Sequence, residues 1–203
     1  MKSSSSHNYI ILGLGNPGTE YERTLHNAGR NAVLLFAKEN DLPPFKENKK
    51  LQALISEGGI AKTRIQAILP ETFMNKSGIT AKNLNVKSKK QIAESIIAVH
   101  DDLDLPIGTI KIVKNRGSAG HKGVESLMRA LGTKDFTRIR IGIAKPVHIK
   151  KSQSEEMVIK TVIGRVSPND ENLLKKGIKK AASALQTIAE SGVERAMNEW
   201  NST

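Results

Sequence analysis

Four short stretches of this sequence carry the side chains needed to activate water. They are the loop from Asn16 to His26, the triplet Phe73-Met74-Asn75, the acids Asp101-Asp102, and His121-Lys122 at the end of a glycine-rich loop. A water that attacks a carbonyl needs a base that titrates near neutrality, and imidazole is the side chain that does so unaided. The imidazole in turn needs a partner for its second nitrogen, usually a carboxylate, to fix its tautomer and favour its charged form. His26 with Asp101 supplies that pair. Asn16 and Asn75 offer uncharged amides able to hold a carbonyl and its neighbouring amides. There is no G-x-S-x-G turn and no cysteine to act as a nucleophile, so direct attack by water is favoured over a covalent intermediate.

Each of these residues also has a plainer reading. His26 suits the start of a helix bonded to backbone, Asn75 suits a helix cap, and the acids at 101, 102 and 104 suit a solvated turn. Arg138 and Arg140 suit the wet face of a strand, and Lys175 to Lys180 the polar side of an amphipathic helix.

The elements that must position these groups are legible in outline. Tyr9 to Leu14 is a short apolar run of strand composition, followed by glycines at 13, 15 and 18. Their spacing matches the dinucleotide pattern G-x-G-x-x-G. Pro17 opposes that reading, because it disfavours the α conformation at Asn16, so no helix starts at Gly15 to receive a pyrophosphate. The helix is expected about ten residues later, over Asn27 to Asn40. Lys46 to Lys50 reads as a basic loop. Leu51 to Ser56 and Thr63 to Leu69 read as a hairpin around Gly58-Gly59. A short helix, Ile79 to Leu84, follows the loop PETFMNKSG, and Lys87 to Lys90 reads as a solvated turn. Ser95 to His100 is an apolar run of the kind buried on both faces of a sheet, ending abruptly in acid. Thr109 to Lys114 and Thr137 to Ile143 alternate as half-exposed strands should, the latter with Arg138 and Arg140 on one face and isoleucines on the other. A helix is expected from Val124 to Leu131, and residues 145–166 fit no single pattern. Ser167-Pro168 gives an N-cap and first helical position for a helix to about Ser191, and a last helix runs from Val193 to Trp200. The order predicts an α/β fold in one domain, residues 9–203 behind a polar tail of residues 1–8, with a twisted mixed β-sheet sandwiched between α-helices.

Composition narrows the partners. The 203 residues carry a net charge of +12, and between Lys82 and Lys151 15 Lys and Arg stand against 6 Asp and Glu. That imbalance favours an acidic partner, most often nucleic acid. Only 3% of residues are aromatic, too few for a platform that stacks single-stranded bases, so contact with phosphates is the expectation. Cysteine is absent and the five histidines show no metal-ligand spacing, so neither disulfide nor zinc site is expected. No stretch approaches the length of a membrane span or a signal-peptide core, which suggests a soluble intracellular protein.

Together GLGNPG with TLHNAG, TFMNKSG, HDDLDLPIG, GSAGHKG and RIRIGI resemble the bacterial-type peptidyl-tRNA hydrolase family, in the family's order and spacing, over almost the whole chain from about Tyr9. The resemblance implies a cytoplasmic, monomeric enzyme without metal or cofactor. Its substrate would be the ester joining a peptide to the 3′ ribose of a tRNA. It implies His26 as general base, Asp101 as the carboxylate that keeps it basic, and Asn16 as the residue that tells blocked from free amino groups. Tyr21, Phe73, Met74, Asn75, His121 and Lys122 would meet the substrate's 3′ end and peptide. Arg140, with Arg138 and with Lys111 or Lys114, would hold tRNA phosphate. Three departures stand out: Leu25 where many members have an arginine, Arg116 to Ala119 within the glycine/histidine-rich loop, and Lys122 in place of a substrate-binding asparagine. Two other readings compete: an RNA-binding relative of the same fold without turnover, and a basic binding module with no enzyme activity.

Overall fold

The apolar run at Tyr9 becomes the middle strand of a seven-stranded sheet. The computed structural model describes residues 8–86, 88–144, 162 and 167–202. The strands are β1 (Asn8–Gly13), β2 (Lys46–Asn48), β3 (Ala53–Ile60), β4 (Thr63–Pro70), β5 (Ile96–Pro106), β6 (Ile110–Lys114) and β7 (Thr137–Ala144). The helices are α1 (Ala28–Glu39), α2 (Gly78–Lys82), α3 (Lys89–Ser95), α4 (Lys122–Leu131), α5 (Pro168–Ser191) and α6 (Val193–Trp200). The strand order is β2-β3-β4-β1-β5-β7-β6. The four central strands run parallel, and β2–β3–β4 and β6–β7 add antiparallel pairs at the two sides.

Burial on both faces explains the composition of β1. Ile11 joins a core with Val33, Phe36, Val99 and Leu185 beneath α1, α5 and α6, while Leu12 joins Ile68, Ala98, Val124 and Leu127 beneath α2, α3 and α4. A strand so placed has no wet face, which is why it reads as a continuous apolar run. Its neighbours β4 and β5 are reached by crossovers on opposite faces of the sheet. The carboxyl end of β1 therefore lies at a switch point, where loops from three parallel strands converge.

Several sequence-based expectations change. The hairpin turns at Ala61, which takes a positive φ of 52°, and Gly58-Gly59 lie inside β3. A Cβ at Gly58 would stand 2.6 Å from Leu42 Cδ2, so that glycine serves a close approach rather than a turn. Part of the basic loop at Lys46 is the short edge strand β2. Ser88 caps α3 by accepting from Gln91 N–H at 3.1 Å, so a helix replaces most of the solvated turn, Lys87 itself lying outside the described residues. The run that ends in acid does not stop there: β5 continues through Asp101-Asp102 to Pro106, with both acids buried. Residues 145–166 lie outside the described residues apart from Val162, which is helical and buried. The long α5 with its Ser167 cap, and α6, match the sequence-based expectations.

Candidate active site

Asn16 is held from two directions. Its N–H donates to Asn27 Oδ1 at 2.8 Å, and Asn27 Nδ2 donates back to the Asn16 carbonyl at 3.0 Å, clasping the loop after β1 to the start of α1. The Asn16 side-chain Oδ1 accepts from Met74 N–H at 2.8 Å. Asn27, only 1% exposed, was not singled out from the sequence for this role; its signal was its place beside His26 in HNAG. Gly29 sets the next distance. A Cβ there would fall 2.1 Å from the Val99 carbonyl, so only glycine lets α1 press against β5. That contact brings His26, three residues before Gly29, over Asp101, two residues after Val99.

Two imidazoles meet one carboxylate oxygen. His26 Nδ1 lies 2.9 Å from Asp101 Oδ1, and His121 Nε2 lies 2.9 Å from the same oxygen. The His26 side chain is 13% exposed and that of Asp101 3%. Burial pushes the Asp101 carboxyl up, but the two imidazoles outweigh it and hold the group well below the usual carboxylate range. Burial pushes His26 down, yet the charge and hydrogen bond of Asp101 prevail and raise it above the ordinary histidine value. With Asp101 ionised, His26 donates its Nδ1 proton to it and keeps Nε2 as the basic nitrogen. A third imidazole, His100, is fully buried, with Nδ1 2.7 Å from the Asp101 carbonyl and its ring edge-on to His121 at 4.7 Å. Burial foremost, then the neighbouring His121 and Arg138, holds His100 well below the ordinary value, so it stays neutral.

The expected substrate contacts divide into two groups. Phe73 is 57% exposed, Asn75 and Lys122 are exposed, and Tyr21 is half-buried. Met74 and His121 are different. The Met74 side chain is buried against α4, where a Cβ at Gly123 would stand 2.5 Å from its sulfur, so Met74 serves the site through its backbone N–H. His121 has both ring nitrogens engaged.

The basic residues also separate. Arg140 donates through Nε to Asp102 Oδ2 at 2.5 Å, and its Nη2 lies 3.8 Å from Asp104. Lys111 stands directly opposite Arg140 in the β6–β7 register, on the same face, whereas Lys114 pairs with Thr137 on the other face. Arg138 corrects both the wet-face reading and the phosphate reading. It is 1% exposed, donates to the Gly117 carbonyl at 2.9 Å, and so ties down the glycine loop instead of meeting solvent. Burial, then the charge of Arg140, pulls its pKa down to about 10. Asp101 and Asp102 are likewise no solvated turn, while Asp104 stays exposed: Asp102 Oδ1 accepts from Asp104 N–H at 2.9 Å and its Oδ2 serves Arg140.

His26, Asp101 and His121 have the composition of a metal site, with one donor atom from each within 4.8 Å of the others. The hydrogen bonds oppose that use. His121 Nδ1 already accepts from Gly123 N–H and Val124 N–H, so Nε2, the nitrogen that faces the cluster, must carry the proton. A nitrogen that holds a proton cannot ligate.

A basic imidazole fixed by a buried carboxylate, beside a clamped asparagine at the carboxyl edge of a mixed sheet, is an arrangement able to activate water for attack on a carbonyl. The comparisons agree. Residues 10–203 match the family model for peptidyl-tRNA hydrolase. The peptidyl-tRNA hydrolase of Thermodesulfovibrio yellowstonii is 40% identical over 193 residues, spanning 95% of this chain and 98% of the relative. That of Syntrophomonas wolfei is 35% identical over 192 residues, spanning 95% and 99%. The crystal structure of peptidyl-tRNA hydrolase from Acinetobacter baumannii superposes with a TM-score of 0.85 at 32% identity, covering 97% of this chain and 95% of that one. The chain belongs to the peptidyl-tRNA hydrolase family. None of the described helices is long and apolar enough to cross a membrane.

Proposed function

We propose that this chain hydrolyses the ester between a peptide and the 3′ ribose of tRNA, acting in the cytoplasm as a monomer without metal or cofactor. The observation that carries the reading is the bond from His26 Nδ1 to Asp101 Oδ1, which leaves Nε2 as the base. Water attacks the ester carbonyl carbon and gives its proton to Nε2. The tetrahedral oxyanion is met by neutral or cationic donors, for which Asn16 Nδ2, Asn75 and Lys122 are the candidates. Collapse of the intermediate breaks the bond to the ribose oxygen, which takes the proton from His26. The products are a peptide acid and a tRNA with a free ribose hydroxyl. The exposed Phe73 and half-buried Tyr21 suit the 3′-terminal base and peptide, and Arg140 with Lys111 suits a phosphate of the tRNA.

Release of a labelled N-blocked aminoacyl group from tRNA tests the proposal. Turnover is expected for the blocked ester and little for free aminoacyl-tRNA. The amide of Asn16 suits a peptide bond and offers a poor environment for an ammonium. Binding of tRNA without release would support the RNA-binding reading instead.

A further inference from the structure

The tautomer of His121 is dictated by backbone donors. Its Nδ1 accepts from Gly123 N–H at 3.1 Å and Val124 N–H at 3.2 Å, capping α4. Protonating Nδ1 would turn that acceptor against two donors, at the end of a helix that already repels positive charge. The proton therefore resides on Nε2, aimed at Asp101 Oδ1 at 2.9 Å. The ring is 7% exposed, which leaves it little contact with solvent.

We propose that His121 is a positioning residue: the N-terminus of α4 fixes its proton on Nε2, and that proton fixes Asp101 and restrains the basicity of His26. The proposal rests on His26 being the base, and it moves His121 from the substrate to the carboxylate. Asp101 Oδ1 receives two donors, one exchanging its strength with the state of His26 and one constant. When His26 takes a proton from water, the constant donor keeps negative charge on Asp101 and opposes transfer of the Nδ1 proton onto the carboxylate. It also shares that charge, so that His26 is less basic than a carboxylate held by one imidazole would make it. The groups that face this corner are His26 ahead of α1, Asp101 and His100 on β5, and Arg138 on β7, with Lys122 next to His121 on α4. His100 stays neutral and Arg138 stays charged across the working range, so neither supplies a competing titration.

His121→Asn separates the two contacts of His121. Asparagine is a good cap for α4, but its short amide cannot cap and reach Asp101 together. Three readouts are taken on the full chain: the thermal midpoint, the pH profile of kcat and kcat/KM, and the titration of the His26 ring by NMR. The expected result is a midpoint close to the parent and a His26 titration moved upward by about half a unit or more. A kcat about tenfold lower with KM nearly unchanged is expected beside it. A loss confined to KM with an unmoved His26 titration would return His121 to the substrate and overturn the proposal. An unmoved titration with unchanged kcat would do the same. His121→Ala removes both contacts and should lower the midpoint as well as raise the titration. The His26 titration is read without turnover. Full activity of His26→Ala would therefore refute the base while leaving the coupling of His121 to Asp101 measurable.

Discussion

Asp101 and Asp102 are neighbours on one strand, equally buried, and face opposite sides of the sheet. Asp101 turns toward the imidazoles of His26 and His121, and Asp102 toward the guanidinium of Arg140. The difference lies in what each partner can do with its proton. An imidazole exchanges one near neutral pH, so the carboxylate beside it tunes a titration. A guanidinium holds its proton at any working pH, so the carboxylate beside it sets only direction and charge. On the proposed function one strand thus serves two tasks, chemistry on one face and orientation of a cation on the other, and alternation of side chains keeps them apart.

The sharpest way to test that division is to remove the proposed base. His26→Ala should lower kcat by about 10²–10⁴-fold with tRNA affinity nearly intact, measured by ester release and by filter binding. Asp101→Asn should come next. The raised His26 pKa means activity falls as acid is added, through a midpoint above the ordinary histidine value, because the protonated ring is no base. Without the charge of Asp101, burial is left to act, so the midpoint should move down while the maximal rate drops. A midpoint that stayed in place would show that Asp101 does not control His26. Asp102→Asn should leave that midpoint unmoved and change affinity for tRNA and its salt dependence.

Lys122→Ala should slow hydrolysis about tenfold, the size of a lost hydrogen bond to a charged group, and Lys122→Asn should recover much of it. An unchanged kcat/KM in Lys122→Ala would take Lys122 out of the site. Arg140→Ala should flatten the log–log salt dependence of binding by about one unit at most, and Lys111→Ala should resemble it. Lys114→Ala, on the far face, should have the smallest effect of the set; an equal effect would break the assignment of faces.

Local patterns carried much of the fold in the sequence. Ser167-Pro168 caps a helix by chemistry confined to a few residues, and the period-2 pattern of β7 marks a strand, so both elements were legible, although β7 is buried on both faces and not half-exposed. The path of β5 was not. Three acids in four residues look solvated until Arg140 and two histidines from distant segments supply partners, and no periodicity announces such partners. Arg138 failed for the same reason, since its burial depends on the carbonyl of Gly117. The candidate catalytic residues were legible because their types are rare and chemically distinct. The clasp of Asn27 and the backbone role of Met74 were not, because they act through amide groups that every residue possesses.

The contact of Gly29 with the Val99 carbonyl also governs when the site can exist. His26 and Asp101 are 75 positions apart, and Asn16 reaches Met74 across 58. The second pair must wait for β4 to flank β1 and the first for β5, so the centre is among the late-closing, high-contact-order parts of the chain. During synthesis, the first 95 residues present the proposed base with no carboxylate and without the strand β5 against which Gly29 presses. Any fragment ending before β5 should be inert for want of assembly, whatever residues it contains.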